Sequence, residues 1–451
     1  MRGIVKKLLY WEWALLLILL PIFLFPQGIH GAIIFLIPVL WALRKLSMGY
    51  VFPPTPYNLA VIILIFTMGL SSLVTFDLAL SIPRISMLLV GIALMFATVH
   101  HSRESSVWPV VATYMFIGLM LALIGLIGTQ WPAPFDALNH IRRVTGIFPQ
   151  GMPGTSEGIV NANELAGVLC WIAPFMLACV VGFRKQLWQG HAFVYVALII
   201  STTICSMLII ATSSRGGIFA FGVSAMLVVA FFVNGRWRLV LAIGLLVTIL
   251  VLFSNSNGLS VKDIVGDDLG LDGRIEIWSR ALLALQDHPL TGLGMNGFRR
   301  IVRVLYPLFG ISNEIDLGHA HNHLLQVAMD LGVPGLISYL SLWIISAGLL
   351  WATYRNLARR KAQQHPYYAL VAGLSGAVCA GWLFGVFDAV ALGSRPSFMW
   401  WLLLGMTAST HYTVVFSGIH LRNHRHYKAH SPTDPEPELE PSQSITIAHQ
   451  S

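Results

Sequence analysis

Long uninterrupted apolar runs leave this sequence the fewest choices of fold. They recur along the chain in stretches of about 18–25 residues, the length of helix that crosses about 30 Å of hydrocarbon. No aqueous core could cover so much apolar surface: 56% of the 451 residues are hydrophobic and 11% are charged. A typical soluble domain carries about 25% charged residues. A soluble enzyme, a coiled coil and a secreted disulfide scaffold are therefore excluded. The runs are too long and too uniformly apolar for barrel strands, so the spans must be helices. The expected class is an all-α integral membrane protein.

Hydropathy suggests about twelve spans, at 8–26, 29–43, 57–75, 83–99, 107–129, 162–183, 191–212, 216–234, 237–254, 333–353, 367–388 and 397–416. The first run lacks a small-residue cleavage site and reads as a span, not a secretory signal. The positive-inside rule places the N-terminus in the cytoplasm, because 17 of the 28 Lys and Arg then fall on the inner side. The implied domains are a bundle over 1–254, a periplasmic loop domain with short helices over 255–332, three more spans over 333–416, and a cytoplasmic tail over 417–451. The Pro-rich acidic tail reads as partly disordered. Cys170, Cys179, Cys205 and Cys379 fall within spans and suggest no disulfide framework.

The outer face carries Arg84, Arg142, Arg143, Arg215, Lys262, Arg274, Arg280, Arg299, Arg300, Arg303 and Arg395, so all but Lys262 are Arg. A planar guanidinium suits carboxylate or phosphate. Within the loop, a helix near 273–286 is expected from the apolar stripe Ile277, Trp278, Ala281, Leu282 and Leu285. Loops this long beside a bundle are usually functional.

Several residues could carry chemistry. His321 lies in the run His319-Ala320-His321-Asn322-His323 and is a candidate general base. The same run also suits a helix cap at Asn322, whereas its spacing suits a metal poorly on a regular helix. Arg215, in Ser214-Arg215-Gly216, combines a cation with a helix N-terminus, which together favour an anion. Its alternative is a turn with a snorkelling side chain. Arg84 follows Pro83 in a similar setting, and Arg274 opens the amphipathic helix. Asn161, Asn163 and Glu164 read as a helix start. Asp267, Asp268 and Asp272 read as a solvated acidic turn. Arg84, Arg215, Arg274 and His321 all fall on one face, a set suited to the diphosphate head group of a lipid.

The stretch Gly273–Gly335 resembles the O-antigen ligase and O-antigen polymerase superfamily of bacterial membrane glycosyltransferases. The resemblance rests on Gly273-Arg274 with Trp278, His288-Pro289, Gly292-Leu293-Gly294, His321-Asn322 with Leu325-Gln326, and Leu331-Gly332 with Gly335. Ser214-Arg215-Gly216 and the segment Asn161–Ala166 are also similar to family patterns. The resemblance implies a GT-C-like helical bundle in the bacterial inner (cytoplasmic) membrane, with its site facing the periplasm or cell exterior. It implies metal-independent, inverting transfer of a glycan from undecaprenyl diphosphate to the hydroxyl of a glycan or glycolipid acceptor, without a cofactor. Arg215 and Arg274 would act on the diphosphate, with Arg84 and Asn322 also binding substrate. His321 would be the base or would orient the acceptor. No nucleic-acid partner is expected. The extra histidines at 319 and 323 depart from the family pattern. A polymerase using the same donor chemistry is the alternative, and a lipid-linked glycan transporter is the reading from another class. The near absence of ionisable residues at mid-span counts against transport.

Overall fold

A computed structural model describes residues 2–24, 28–141, 159–184, 190–254, 270–312, 317–390 and 392–416. All lie in the compact unit Met1–Gly418, and the second unit, Ile419–Ser451, lies outside the described residues. So do Arg142, Arg143, Lys185, Lys262, Asp267 and Asp268. The described residues fold into helices, with no strand beyond the isolated bridge between Thr129 and Val160. The protein is an all-α membrane protein.

Seven described helices are long and apolar enough to cross a membrane. We number the helices in chain order: α1 (Arg2–Tyr10), α2 (Glu12–Ile18), α3 (Leu20–Leu24), α4 (Leu36–Met48), α5 (Asn58–Val74), α6 (Leu78–Glu104), α7 (Trp108–Gly128), α8 (Ala162–Gly182), α9 (Ala192–Ala211), α10 (Arg215–Phe232), α11 (Gly235–Ser254), α12 (Gly270–Asp287), α13 (Phe298–Leu305), α14 (His323–Arg359), α15 (Pro366–Phe387) and α16 (Phe398–His411). The seven are α6 to α10, α14 and α15. The expected span at 237–254 is covered by the 20 residues of α11, and the remaining expected spans have shorter or broken counterparts. The run at 8–26 is divided among α1, α2 and α3, and the run at 29–43 begins as a 3-10 helix before α4. The helix α5 has 17 residues and α16 has 14.

Side chains that cap helices also fix where the polar residues stand. Asp77 caps α6, accepting from the Ala79 and Leu80 amides. Asn161 caps α8, accepting from Asn163 and Glu164. Ser214 caps α10 through the Gly217 amide, and Asn322 caps α14 through those of Leu324 and Leu325. Each cap satisfies amides that a helix start leaves open.

The helix α15 is the hub, packed against α8, α10 and α14. Glycine at 373 permits the close approach: an added Cβ would lie 3.1 Å from the Phe175 carbonyl oxygen. Small residues let helix backbones approach closely in membranes, where packing drives association. The helix α16 packs mainly on α6. Arg44, in α4, is fully buried and paired with Glu12.

The loop helices sit on α14. In α12, Ile277, Ala281 and Ala284 are buried together with Phe298 and Val302 of α13 and with Ala328 and Met329 of α14. The expected stripe is therefore correct except at Leu282, which is half exposed. The helix α14 begins at His323, earlier than the expected span, and is interrupted at Gly332, where φ is 70°. In an unbroken helix the Met329 carbonyl would accept from the Val333 amide. Here Met329 accepts from Leu293 at 2.7 Å, and Val333 donates to Pro289 at 2.7 Å. One helical bond is thus exchanged for two bonds to the loop. Glycine is required at the break, since a Cβ there would lie 2.5 Å from the Leu290 carbonyl carbon.

Candidate active site

The C-terminus of α15 gathers the polar residues. The last carbonyls of a helix have no partner within it. Two of them are taken from elsewhere: Arg274 Nη1 donates to Phe387, and Asn322 Nδ2 donates to Val386 at 3.0 Å. A cation at a helix C-terminus is also favoured by the helix dipole. Arg274 is almost fully buried, at 3% exposure. Arg274 and Asn322 therefore converge on the two residues preceding Asp388.

Asp388 ends α15 and is buried. Its Oδ1 accepts from the Ala389 amide at 2.7 Å and from His321 Nδ1 at 3.2 Å, with His319 Nδ1 at 3.7 Å. Burial alone would raise the Asp388 pKa. The His321 hydrogen bond and the His321, His319 and Arg274 charges outweigh it and hold the carboxyl well below its usual range. An ionised carboxylate can only accept, so His321 Nδ1 carries the proton of this bond.

The neighbouring histidines differ. His319 Nδ1 accepts from the His321 amide at 3.2 Å. Burial, with the His321 charge, pushes the His319 pKa down to about 3. His319 is therefore neutral at pH 7. His323 is buried at 3% exposure, bonds Tyr339 Oη at 3.1 Å through Nδ1, and sits among Trp343 and Trp382. Only His321 of the three has Asp388 as its hydrogen-bond partner while retaining some exposure, with 15% of its side chain accessible. His319, His321 and Asp388 form the one potential metal-ligand cluster among the described residues, with ligand atoms within 4.8 Å of one another. His319 Nδ1, His321 Nδ1 and Asp388 Oδ1 take part in the hydrogen bonds above.

Arg84 approaches from the first turns of α6. It lies in the fields of Asp330, Glu164 and Arg299, and its own charge reaches His319. Arg84 Nη1 is buried and makes no hydrogen bond among the described residues. Below it, the turn at Gly393, φ 76°, presses against the Arg84 carbonyl. Arg215 is tied to the site through its neighbour Gly216. Gly216 packs against Phe387, where an added Cβ would stand 3.3 Å from the Phe387 Cβ, while the Arg215 side chain is exposed.

The structure thus brings Arg84, Arg274, His321 and Asn322 together and leaves the Arg215 side chain at the edge. Sequence reading missed Asp388 and treated Glu164 as part of a helix start. Glu164 lies in the fields of Arg84, Arg395 and Asp388. The available signal for both was an ionisable residue at the end of an apolar run.

Residues 200–340 match the family described as O-antigen ligase. That segment of the chain is similar to this family. The matched segment contains Arg215, Arg274, His321 and Asn322. The chain is also similar to a Pseudomonas aeruginosa protein described as an O-antigen ligase, with 27% identity over 220 residues. That similarity covers 48% of this chain and 51% of the relative, so the chain spans about half the length of the curated protein it matches. Arg84 and Asp388 lie outside the 200–340 segment yet meet its residues in space.

Proposed function

We propose that the protein is a membrane ligase that moves a glycan from undecaprenyl diphosphate to a sugar hydroxyl on a glycan or glycolipid acceptor. The observation that carries this reading is the pairing of His321 with Asp388 beside Arg274 and Arg84. The acceptor hydroxyl attacks the anomeric carbon as the bond to the diphosphate breaks, and the configuration inverts. The hydroxyl proton passes to His321 Nε2, and the departing diphosphate keeps the bonding electrons. General-base help of this kind contributes about 10²–10⁴-fold.

Guanidiniums suit the charge that develops on the leaving group. The unpartnered Nη1 of Arg84 is a donor available to a phosphate oxygen. Arg274 adds charge beside Asp388, and Arg215 stands at the N-terminus of α10, where amides also favour an anion. These cations supply what a metal would otherwise supply, so the proposed transfer is metal-independent. The proposed setting is the bacterial inner membrane, with the α12–α13 loop domain and this site on the periplasmic or outer side.

The test is transfer from a purified undecaprenyl-diphosphate oligosaccharide, in liposomes with EDTA, to two acceptors in parallel. Product on a lipid A-core glycolipid alone supports the ligase. A ladder on further lipid-linked repeat makes the protein a polymerase with the same donor chemistry. Absence of product on both overturns the reading.

A further inference from the structure

We infer that Gln326 and Asp330 are positioning residues that hold His321 in place through a buried hydrogen-bond relay. The inference rests on the proposed role of His321, and its test includes a measurement that needs no substrate. Gln326 is 1% exposed and Asp330 0%. They stand one turn apart on the first half of α14, and neither is within hydrogen-bond reach of His321. Gln326 Oε1 accepts from the Ala320 amide at 2.8 Å, and its Nε2 donates to Asp330 Oδ1 at 3.0 Å. Asp330 Oδ1 also accepts from the Asn296 amide at 2.9 Å. The relay runs from the 292–297 turn, through α14, to the residue before His321.

His321 needs such a support. Its φ is +47°, in the left-handed region that disfavours a side chain with a Cβ. A strained residue persists only where its surroundings over-determine it. Both polar backbone groups of Ala320 are held by side chains: Gln326 takes the amide, and Trp278 Nε1 donates to the carbonyl at 3.0 Å. On the other side, Asn322 is fixed by its cap bonds and by Val386. The strained residue is therefore clamped at both neighbours, and Asp388 meets its ring.

The chemistry at 326 is specific. The Ala320 amide requires an acceptor and the Asp330 carboxylate requires a donor, and the side-chain amide of Gln326 supplies both. Asn296, with φ +63°, holds its own left-handed position against the same carboxylate. Asp330 also lies in the field of Arg84. One buried carboxylate thus ties the loop turn, the histidine loop and a cation of the site together. Its two bonds share Asp330 Oδ1, while Asp330 Oδ2 is buried without a hydrogen-bond partner among the described residues.

The experiment is a polarity swap in the full-length protein reconstituted in liposomes. Gln326→Glu places two carboxylates against each other. The double variant Gln326→Glu/Asp330→Asn restores a donor facing an acceptor and still leaves an acceptor for Asn296. The first readout is transfer kinetics. Gln326→Glu and Gln326→Leu should lower kcat about 10-fold or more with donor KM changed less than about threefold, and the double variant should recover beyond the product of the single effects. The second readout is the rate at which diethyl pyrocarbonate modifies His321, followed by peptide mass spectrometry. It should change by about threefold or more in Gln326→Leu and return toward wild type in the double variant. Folding is checked by monodispersity and thermal unfolding. Folded Gln326→Leu with wild-type kcat and His321 reactivity overturns the inference, as does a double variant no better than the singles combined. Absence of transfer by the wild type itself would instead count against the proposed function, and the His321 reactivity would still decide the relay.

Discussion

Asp388 accepts a hydrogen bond from His321 at 3.2 Å across 67 residues of sequence, and both lie at helix ends. The pair supplies a carboxylate that orients an imidazole, an arrangement that leaves one ring nitrogen available to a reacting hydroxyl. Asp388→Asn should keep the shape of the site while allowing the wrong imidazole tautomer. We expect a fall in kcat of about 10²-fold or more, with the donor KM little changed. Single-turnover transfer with a saturating donor measures it, and a folded Asp388→Asn protein within about threefold of wild type would remove Asp388 from the mechanism.

The three histidines should separate by function. His321→Ala should lose about 10²–10⁴-fold in transfer rate. His319→Gln keeps an acceptor for the His321 amide and should retain most of the rate. Parallel assays of the two variants at one pH check this, and comparable losses would deny His321 its distinct role.

Arg215 and Arg274 should differ in stability as well as activity. Arg215 is exposed, so Arg215→Ala should change stability by no more than about 0.5 kcal/mol while weakening transfer. Arg274 is buried and caps α15, so Arg274→Ala should destabilise by about 2 kcal/mol or more as well as stopping transfer. Thermal unfolding in detergent, run beside the transfer assay, distinguishes them. Full activity of Arg215→Ala would take it out of the donor site.

Exhaustive chelation should leave transfer unchanged. His319, His321 and Asp388 have the spacing of a cation site, so the measurement is informative. Loss of activity under EDTA, restored by Mg²⁺ or Mn²⁺, would replace the metal-free mechanism.

His319 should make the fold acid-sensitive. Its pKa drops from 6.5 to about 3 on folding, chiefly through burial. Between those values the unfolded chain binds the extra proton, so stability rises with pH across the window. The contribution is complete above 6.5 and is lost as pH falls toward 3. His319→Gln should therefore lose less melting temperature than wild type between pH 7.5 and pH 4.5. An equal loss in both proteins would assign the acid sensitivity elsewhere. Asp388, shifted below the usual carboxylate range, acts only at lower pH.

Much of the architecture is legible because a bilayer imposes one length and one polarity on each crossing. Each of the seven long helices covers a run visible in the sequence, although α6 and α14 extend beyond theirs by five residues or more at each end. The short helices α1 to α3 were less legible, because a hydropathy window averages over breaks such as Trp11 and Leu19. The site was legible where polar residues are locally conspicuous, as at His321, Asn322 and Arg274. Asp388 was not, because its meaning depends on a partner brought by folding from another helix end. Exposure was not legible for Arg215, since composition places a residue near a face without saying which way it points. Gln326 and Asp330 were equally silent, being polar residues at the start of an apolar helix.

The bond exchange at Gly332 makes the loop domain part of α14 rather than a cover laid upon it. Residues 289–293 stand where the helix would otherwise close on itself, and they complete its hydrogen bonding. Shortening this segment would uncover a helix end inside the protein. A chimera that grafts a relative's loop onto this bundle must therefore carry Pro289, Leu293 and Gly332 across as a unit, or the grafted chain will have to mend the helix before it can present a site.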